Sequence, residues 1–209
     1  MAEPKAPDRA AATRAMRSLE RAFLLGIEGV TEILLIRHAD AYDGLDPATD
    51  PASDGDPGLS AAGREQARRL AERLGRFPVD AVFASPLRRA RETAEAIGLP
   101  VTLDDRLVEV AADTTGGYVE LQEVPAETIR RMRAAIEQAV ARHPGGRVAI
   151  VGHGVAILHY LCDVLRIEPG RLRVLPYYTS INVVRIKDDR RMAGSIADVA
   201  HLEGLAWLS

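Results

Sequence analysis

Three short apolar runs set the terms on which this chain can fold: Glu32 to Ile36 (EILLI), Val79 to Ala84 (VDAVFA) and Arg147 to Val151 (RVAIV). Their length and their Ile, Val and Leu content predict strands buried on both faces. Between them lie segments whose apolar residues recur every three or four positions. Ser60 caps a predicted helix over 61–75, with Ala67, Leu70, Ala71 and Leu74 on one face and Gly75 at its end. Ser85-Pro86 reads as a cap and first helical position for a helix reaching Ile97. Ala126 to Arg142 and Val155 to Leu165 read as two more helices. Val101 to Leu103 forms a short strand, 110–124 is irregular, and Ser180 to Lys187 with Met192 to Val199 makes a final hairpin turning at Asp188-Asp189. Strands alternating with helices predict an α/β chain, a three-layer α/β/α sandwich around a mostly parallel central sheet.

The chain has 209 residues, enough for one domain with a sizeable core. Residues 31–209 are expected to form it, preceded by an N-terminal extension, 1–30. In that extension 10–28 reads as a helix with Met16, Leu19, Ala22, Phe23 and Ile27 in a stripe. Such a stripe packs on the domain, or else serves as a homodimer contact or a lid. A net charge of -3 gives no basic surface for nucleic acid. Cys162 is the single cysteine, so no intrachain disulfide can form and a reducing compartment fits. No apolar run approaches the roughly 20 residues that span a bilayer, and no signal peptide is evident. A cytoplasmic protein without a membrane partner is expected. The stretch 40–58, rich in Asp, Pro and Gly, reads as a long loop.

The three strands end in polar groups. Glu32–Ile36 runs into Arg37-His38. Val79–Ala84 runs into Ser85 and then Arg88, Arg89 and Arg91. Arg147–Val151 runs into Gly152-His153-Gly154. Ligands of open α/β sheets bind beyond the carboxyl ends of the strands, so parallel strands would bring these clusters to one edge. A neutral imidazole is a nucleophile near pH 7, and guanidinium groups match phosphate oxygens bidentately. Such a set supports phosphoryl transfer, provided a carboxylic acid gives the leaving alkoxide its proton. Taken singly, each residue has a plainer reading: a strand-end cation, a structural histidine, a solvated helix face.

Together the segments resemble the histidine phosphatase superfamily, also called phosphoglycerate mutase-like. Ile36-Arg37-His38 resembles its Arg-His-Gly motif. LSAAGREQARRLAERL (59–74) is similar to its Leu-x-x-x-Gly-x-x-Gln-Ala helix, and FASPLRRARETAEAI (83–97) to its Ser-x-Leu-x-Arg-Ala-x-x-Thr-Ala segment. RLVEV (106–110) resembles the segment carrying the acid, and VAIVGHGVAI (148–157) the second histidine motif. The resemblance spans about residues 31–187 and implies a phosphoglycerate mutase-like fold and metal-independent hydrolysis of a phosphomonoester, without a cofactor. It assigns His38 as the phospho-accepting nucleophile, Arg37, Arg89 and His153 as phosphate ligands, and Glu109 as general acid and then base. Arg88 and Arg91 are left as solvated. Ala39, Asp40 and Ala41 replace the usual Gly, Glu or Gln, and Thr. Gly44 stands where the family often has a phosphate-binding Asn, and AADTTGGY replaces the usual segment after Glu109. The substrate-facing wall is therefore expected to be unusual, around a small phosphorylated substrate.

Other classes remain. A cofactor-dependent mutase shares this site, but the interval between Arg89 and His153 is short for one. A binding protein for phosphorylated ligands would not need Glu109; replacing that residue would lower turnover and leave phosphate affinity. No His-Glu-x-x-His or paired-carboxylate set supports a metal hydrolase. No glycine-rich anion loop follows Cys162, which reads as a small core residue. His159 reads as a helix histidine facing a polar neighbour, and His143 and His201 as surface residues. Tyr177, Tyr178, Thr179 and Ser180 are placed to bring one hydroxyl to the site's rim.

Overall fold

The computed structural model describes residues 9–41, 56–113 and 120–205. Most of the expected loop 40–58, with Gly44, and most of AADTTGGY lie outside these residues. The central sheet has the order β3-β2-β6-β1-β7-β8. β1 (Thr31–Arg37), β6 (Arg147–Gly152), β2 (Ala81–Ala84) and β3 (Val101–Leu103) are mutually parallel. β7 (Ile181–Lys187) runs antiparallel to β1, and β8 (Arg190–Asp198) antiparallel to β7. Asp188, at φ +55°, makes the turn between them.

Successive side chains of a strand point to opposite faces, and both faces of β1 are dry. Ile33 and Leu35 enter a core with Met132 and Ile136 of α4 (Pro125–Arg142) and Ile157, Tyr160 and Leu161 of α5 (Gly154–Leu165). Leu34 and Ile36 enter another with Leu70 and Leu74 of α2 (Ala61–Gly75) and Ala90 and Ala94 of α3 (Arg88–Glu95). This is the expected three-layer α/β/α sandwich. Within 110–124, expected to be irregular, the two-residue strands β4 (Ala112–Asp113) and β5 (Glu120–Leu121) pair antiparallel.

Two local expectations fail. α3 begins at Arg88, and Leu87 at its cap makes no side-chain cap bond. Ser85 and Pro86 lie before the helix, and the Ser85 hydroxyl is directed to His153 instead. The N-terminal helix α1 (Arg9–Ala22) stops earlier than 28, where Leu24 and Gly26 take positive φ. Leu24 is buried, but Met16, Leu19 and Phe23 are more than half exposed, so the stripe does not pack on the domain.

Candidate active site

The parallel register brings the strand ends together. The Arg37 and Gly152 Cα atoms are register partners, and His38 N–H donates to Gly152 O at 2.9 Å. Ser85 N–H donates to Val151 O at 3.0 Å, and Thr179 N–H to Arg37 O at 3.0 Å. Arg37, His38, Ser85 and His153 therefore share the carboxyl edge of three adjacent strands.

His38 is 3% exposed. Its Nδ1 lies 2.7 Å from Ala39 O. A carbonyl can only accept, so the ring hydrogen is on Nδ1 and the lone pair on Nε2. Arg89 Nε donates to that Nε2 at 3.3 Å. Burial, followed by the charges of Arg89 and Arg37, lowers the His38 pKa from 6.5 to about 3, so the ring is neutral at physiological pH. His153 is fully buried, its ring centroid 5.2 Å from that of His38, and its Nε2 lies 2.8 Å from Ser85 Oγ. Burial first, then His38 and Arg89, holds its pKa well below the ordinary value.

The cations converge on the same point. Arg89 is 8% exposed, with a longer contact of 3.4 Å from Nη1 to Asp56. Arg37 Nη1 donates to Pro176 O at 3.0 Å, and its buried Nε has no hydrogen-bond partner among the described residues. The Tyr178 ring lies under the Arg37 guanidinium at 4.1 Å and 5.7 Å from the His38 ring. Glu109 approaches from the start of α5. Its carboxylate accepts from Val110 N (2.9 Å), Ala156 N (3.0 Å) and Val155 N (3.3 Å), which seats it on the first turn of α5 beside His153. His38, Arg37, Arg89, His153 and Glu109 are thus gathered around one sheet edge.

The chain just past His38 is gripped from two helices. Ala39 N–H donates to Thr93 Oγ1 at 2.9 Å, and Thr93 in turn donates to Arg89 O. Asp40 N–H donates to Gln66 Oε1 at 2.8 Å, and Asp40 O accepts from Ser60 N. α2 passes so close that a Cβ at Gly63 would lie 1.9 Å from Asp40 O. Asp40 also accepts from Ser60 Oγ, so it anchors this corner.

Of the remaining sequence readings, Arg88 and Arg91 are half-exposed and paired with Glu92 and Glu95 on their own helix. Cys162 is buried in the core. His159 is buried, within electrostatic range of Glu109 and Glu123. His143 and His201 are not simple surface residues. His143 packs edge-on against Phe83, and His201 Nε2 lies 3.0 Å from Thr179 Oγ1, its pKa lowered to about 4 chiefly by burial. Of the four residues before β7, Tyr178 reaches the site by its ring. Sequence reasoning missed Ser85 as a partner of His153; a serine at the end of a buried strand, in line with two histidines, was the available signal. Among the described residues no group of three or more His, Cys, Asp or Glu could hold a metal ion.

The profile of the histidine phosphatase superfamily (branch 1) matches residues 33–120 and 111–198. The chain belongs to this superfamily. A metal-independent phosphoserine phosphatase of Arabidopsis thaliana is 30% identical over 213 residues, covering 86% of each chain. Phosphoserine phosphatase 1 of Hydrogenobacter thermophilus is 28% identical over 174 residues, 66% of this chain and 78% of the relative. A probable phosphoglycerate mutase of Yersinia enterocolitica is 27% identical over 206 residues, 82% of this chain and 95% of the relative. Among solved structures, phosphoserine phosphatase of Entamoeba histolytica in complex with 3-phosphoglyceric acid superposes with a TM-score of 0.69 at 19% identity, covering 82% of this chain and 99% of that one. The histidine phosphatase fold is common to both.

Proposed function

We propose that this histidine phosphatase is a metal-independent phosphomonoesterase working through a phosphohistidine at His38. The observation that carries this reading is the setting of His38: a neutral imidazole, its hydrogen fixed on Nδ1 by Ala39 O and its Nε2 lone pair against Arg89. Nε2 attacks the phosphorus and the ester P–O bond breaks, its electron pair staying on the leaving oxygen. Arg37, Arg89 and His153 hold the equatorial oxygens as charge spreads over them. Ser85 Oγ accepts from Leu87 N–H and lies 2.8 Å from His153 Nε2, which fixes the orientation of the His153 ring. The other ring nitrogen, Nδ1, has no hydrogen-bond partner among the described residues. Glu109, as the carboxylic acid, protonates the leaving alkoxide. As the carboxylate it then takes a proton from the water that attacks phospho-His38, releasing phosphate and restoring the Nε2 lone pair.

The relatives' names support a small phosphorylated substrate of the phosphoserine or phosphoglycerate kind. Hydrolysis rather than mutase chemistry is supported by two relatives named phosphatases that match as well as or better than the mutase. Residues from 31 onward act as the catalytic unit. The exposed Met16–Leu19–Phe23 face of α1 supports self-association through that helix, and the single buried thiol is compatible with the cytoplasm.

Phosphate release from phosphoserine, 3-phosphoglycerate and an aryl phosphate, in the presence of a chelator, tests the reading. Turnover should persist in chelator and disappear in His38→Ala. A His38→Ala protein with near-wild-type rates would overturn it.

A further inference from the structure

Resting on the assignment of Glu109 as the acid, we infer that Arg131 and Glu123 are positioning residues for that acid. Arg131 lies on α4, on the far side of the segment that carries Glu109. Its guanidinium forks onto Glu123, Nε to Oε1 at 2.7 Å and Nη2 to Oε2 at 2.8 Å. Its Nη1 donates to two carbonyls, Arg106 O at 2.8 Å and Val108 O at 2.7 Å. Four of the five N–H donors of the side chain are thus committed, and one of them holds the Val108 carbonyl, in the peptide immediately before Glu109.

The segment follows a single 3-10 turn, Asp105–Leu107, and leads into the two-residue strand β4, just before which Ala111 O accepts from Gln122 N at 2.7 Å. Leu107 and Val110 are buried on either side of Glu109, and they set depth rather than direction. Direction comes from the two ends of the peptide at 108–109. Arg131 pulls the Val108 carbonyl toward α4, while the Glu109 carboxylate reaches the amide groups of Val155 and Ala156 at the start of α5. Both partners of the Arg131–Glu123 pair are 17% exposed, so the pair is shielded, and a planar fork held at both ends is stiff. The Arg131 charge also contributes to lowering the His153 and His159 pKa values, which places it within electrostatic reach of the site.

A residue that acts only through a general acid has a distinctive kinetic signature. Nitrophenolate leaves without a proton, whereas an alkoxide needs one. The test compares kcat/KM, which reports the first phosphoryl transfer, for 4-nitrophenyl phosphate and 2-phenylethyl phosphate. The proteins are wild type, Glu109→Gln, Arg131→Met and Glu123→Gln. Arg131→Met keeps the apolar stem and removes the fork. It should lower kcat/KM on the alkyl ester by about tenfold or more and on the nitrophenyl ester by less than about threefold, the scale expected when an acid is misplaced rather than lost. Arg131→Lys should not rescue it, because an ammonium cannot span three acceptors in one plane. Equal losses on both esters would mean that Arg131 is a fold anchor only and would overturn the inference. Glu109→Gln is the internal reference. If it affects both esters equally, the acid assignment itself fails; if it alone is selective, only the inference about Arg131 fails. Should Arg131→Met not fold, Glu123→Gln, which leaves the guanidinium and loosens its fork, carries the same comparison.

Discussion

The surroundings of His38 keep it uncharged: burial and two guanidinium groups oppose a proton that the Ala39 carbonyl alone would favour. At this scale the sequence is legible where a residue belongs to a motif: His38, Arg37, Arg89, His153 and Glu109 are all named from it, and the fold brings them to one sheet edge. It is less legible where the role is geometric. Gly63 and Gln66 stand out in the sequence only as a family pattern. The structure supplies the reason: the glycine lets α2 press on the Asp40 carbonyl, and the glutamine accepts from the Asp40 amide. Gly63→Ala cannot be accommodated without moving backbone. It is expected to cost about 1–3 kcal/mol, the usual range for overpacking, and to lower kcat by displacing the chain next to His38. Thermal unfolding with steady-state kinetics checks this; an unchanged melting temperature and rate would contradict it.

At the scale of elements, the strand-end rule did most of the predictive work. Apolar runs at 32–36, 79–84 and 147–151 fixed the layers, and their polar termini located the site. The errors came from local signals that tertiary structure overrides. Ser85-Pro86 has the form of a helix cap, yet the hydroxyl bonds the imidazole across the sheet, and α3 starts at Arg88 without it. The N-terminal stripe has the period of a packed helix, yet Met16 and Leu19 of α1 and Phe23 just after it are more than half exposed. Arg131 gave no signal at all: an arginine on an amphipathic helix reads as solvated, and its hold on the 106–108 carbonyls depends on a turn that no periodicity announces.

For the molecule as a whole, buried histidines tie stability to pH, His38 and His153 foremost. The folded-state pKa values of His38 and His153 lie below the unfolded value of 6.5. Below pH 6.5 the unfolded chain therefore binds protons that the fold refuses. Their contribution is complete above that value and is lost as pH falls below it, for His38 toward about 3. The slope is up to about 1.4 kcal/mol per pH unit for each histidine. His201, only half-buried, adds less. Denaturant midpoints should fall between pH 6.5 and about 5, above most carboxylate titration. A flat profile there would contradict the account. The covalent step can be seen by intact-mass analysis of protein quenched after mixing with an aryl phosphate, followed by mapping of the adduct. One acid-labile phosphate on His38 that forms and decays with turnover is expected. Turnover without any adduct, or an adduct on another residue, would contradict it.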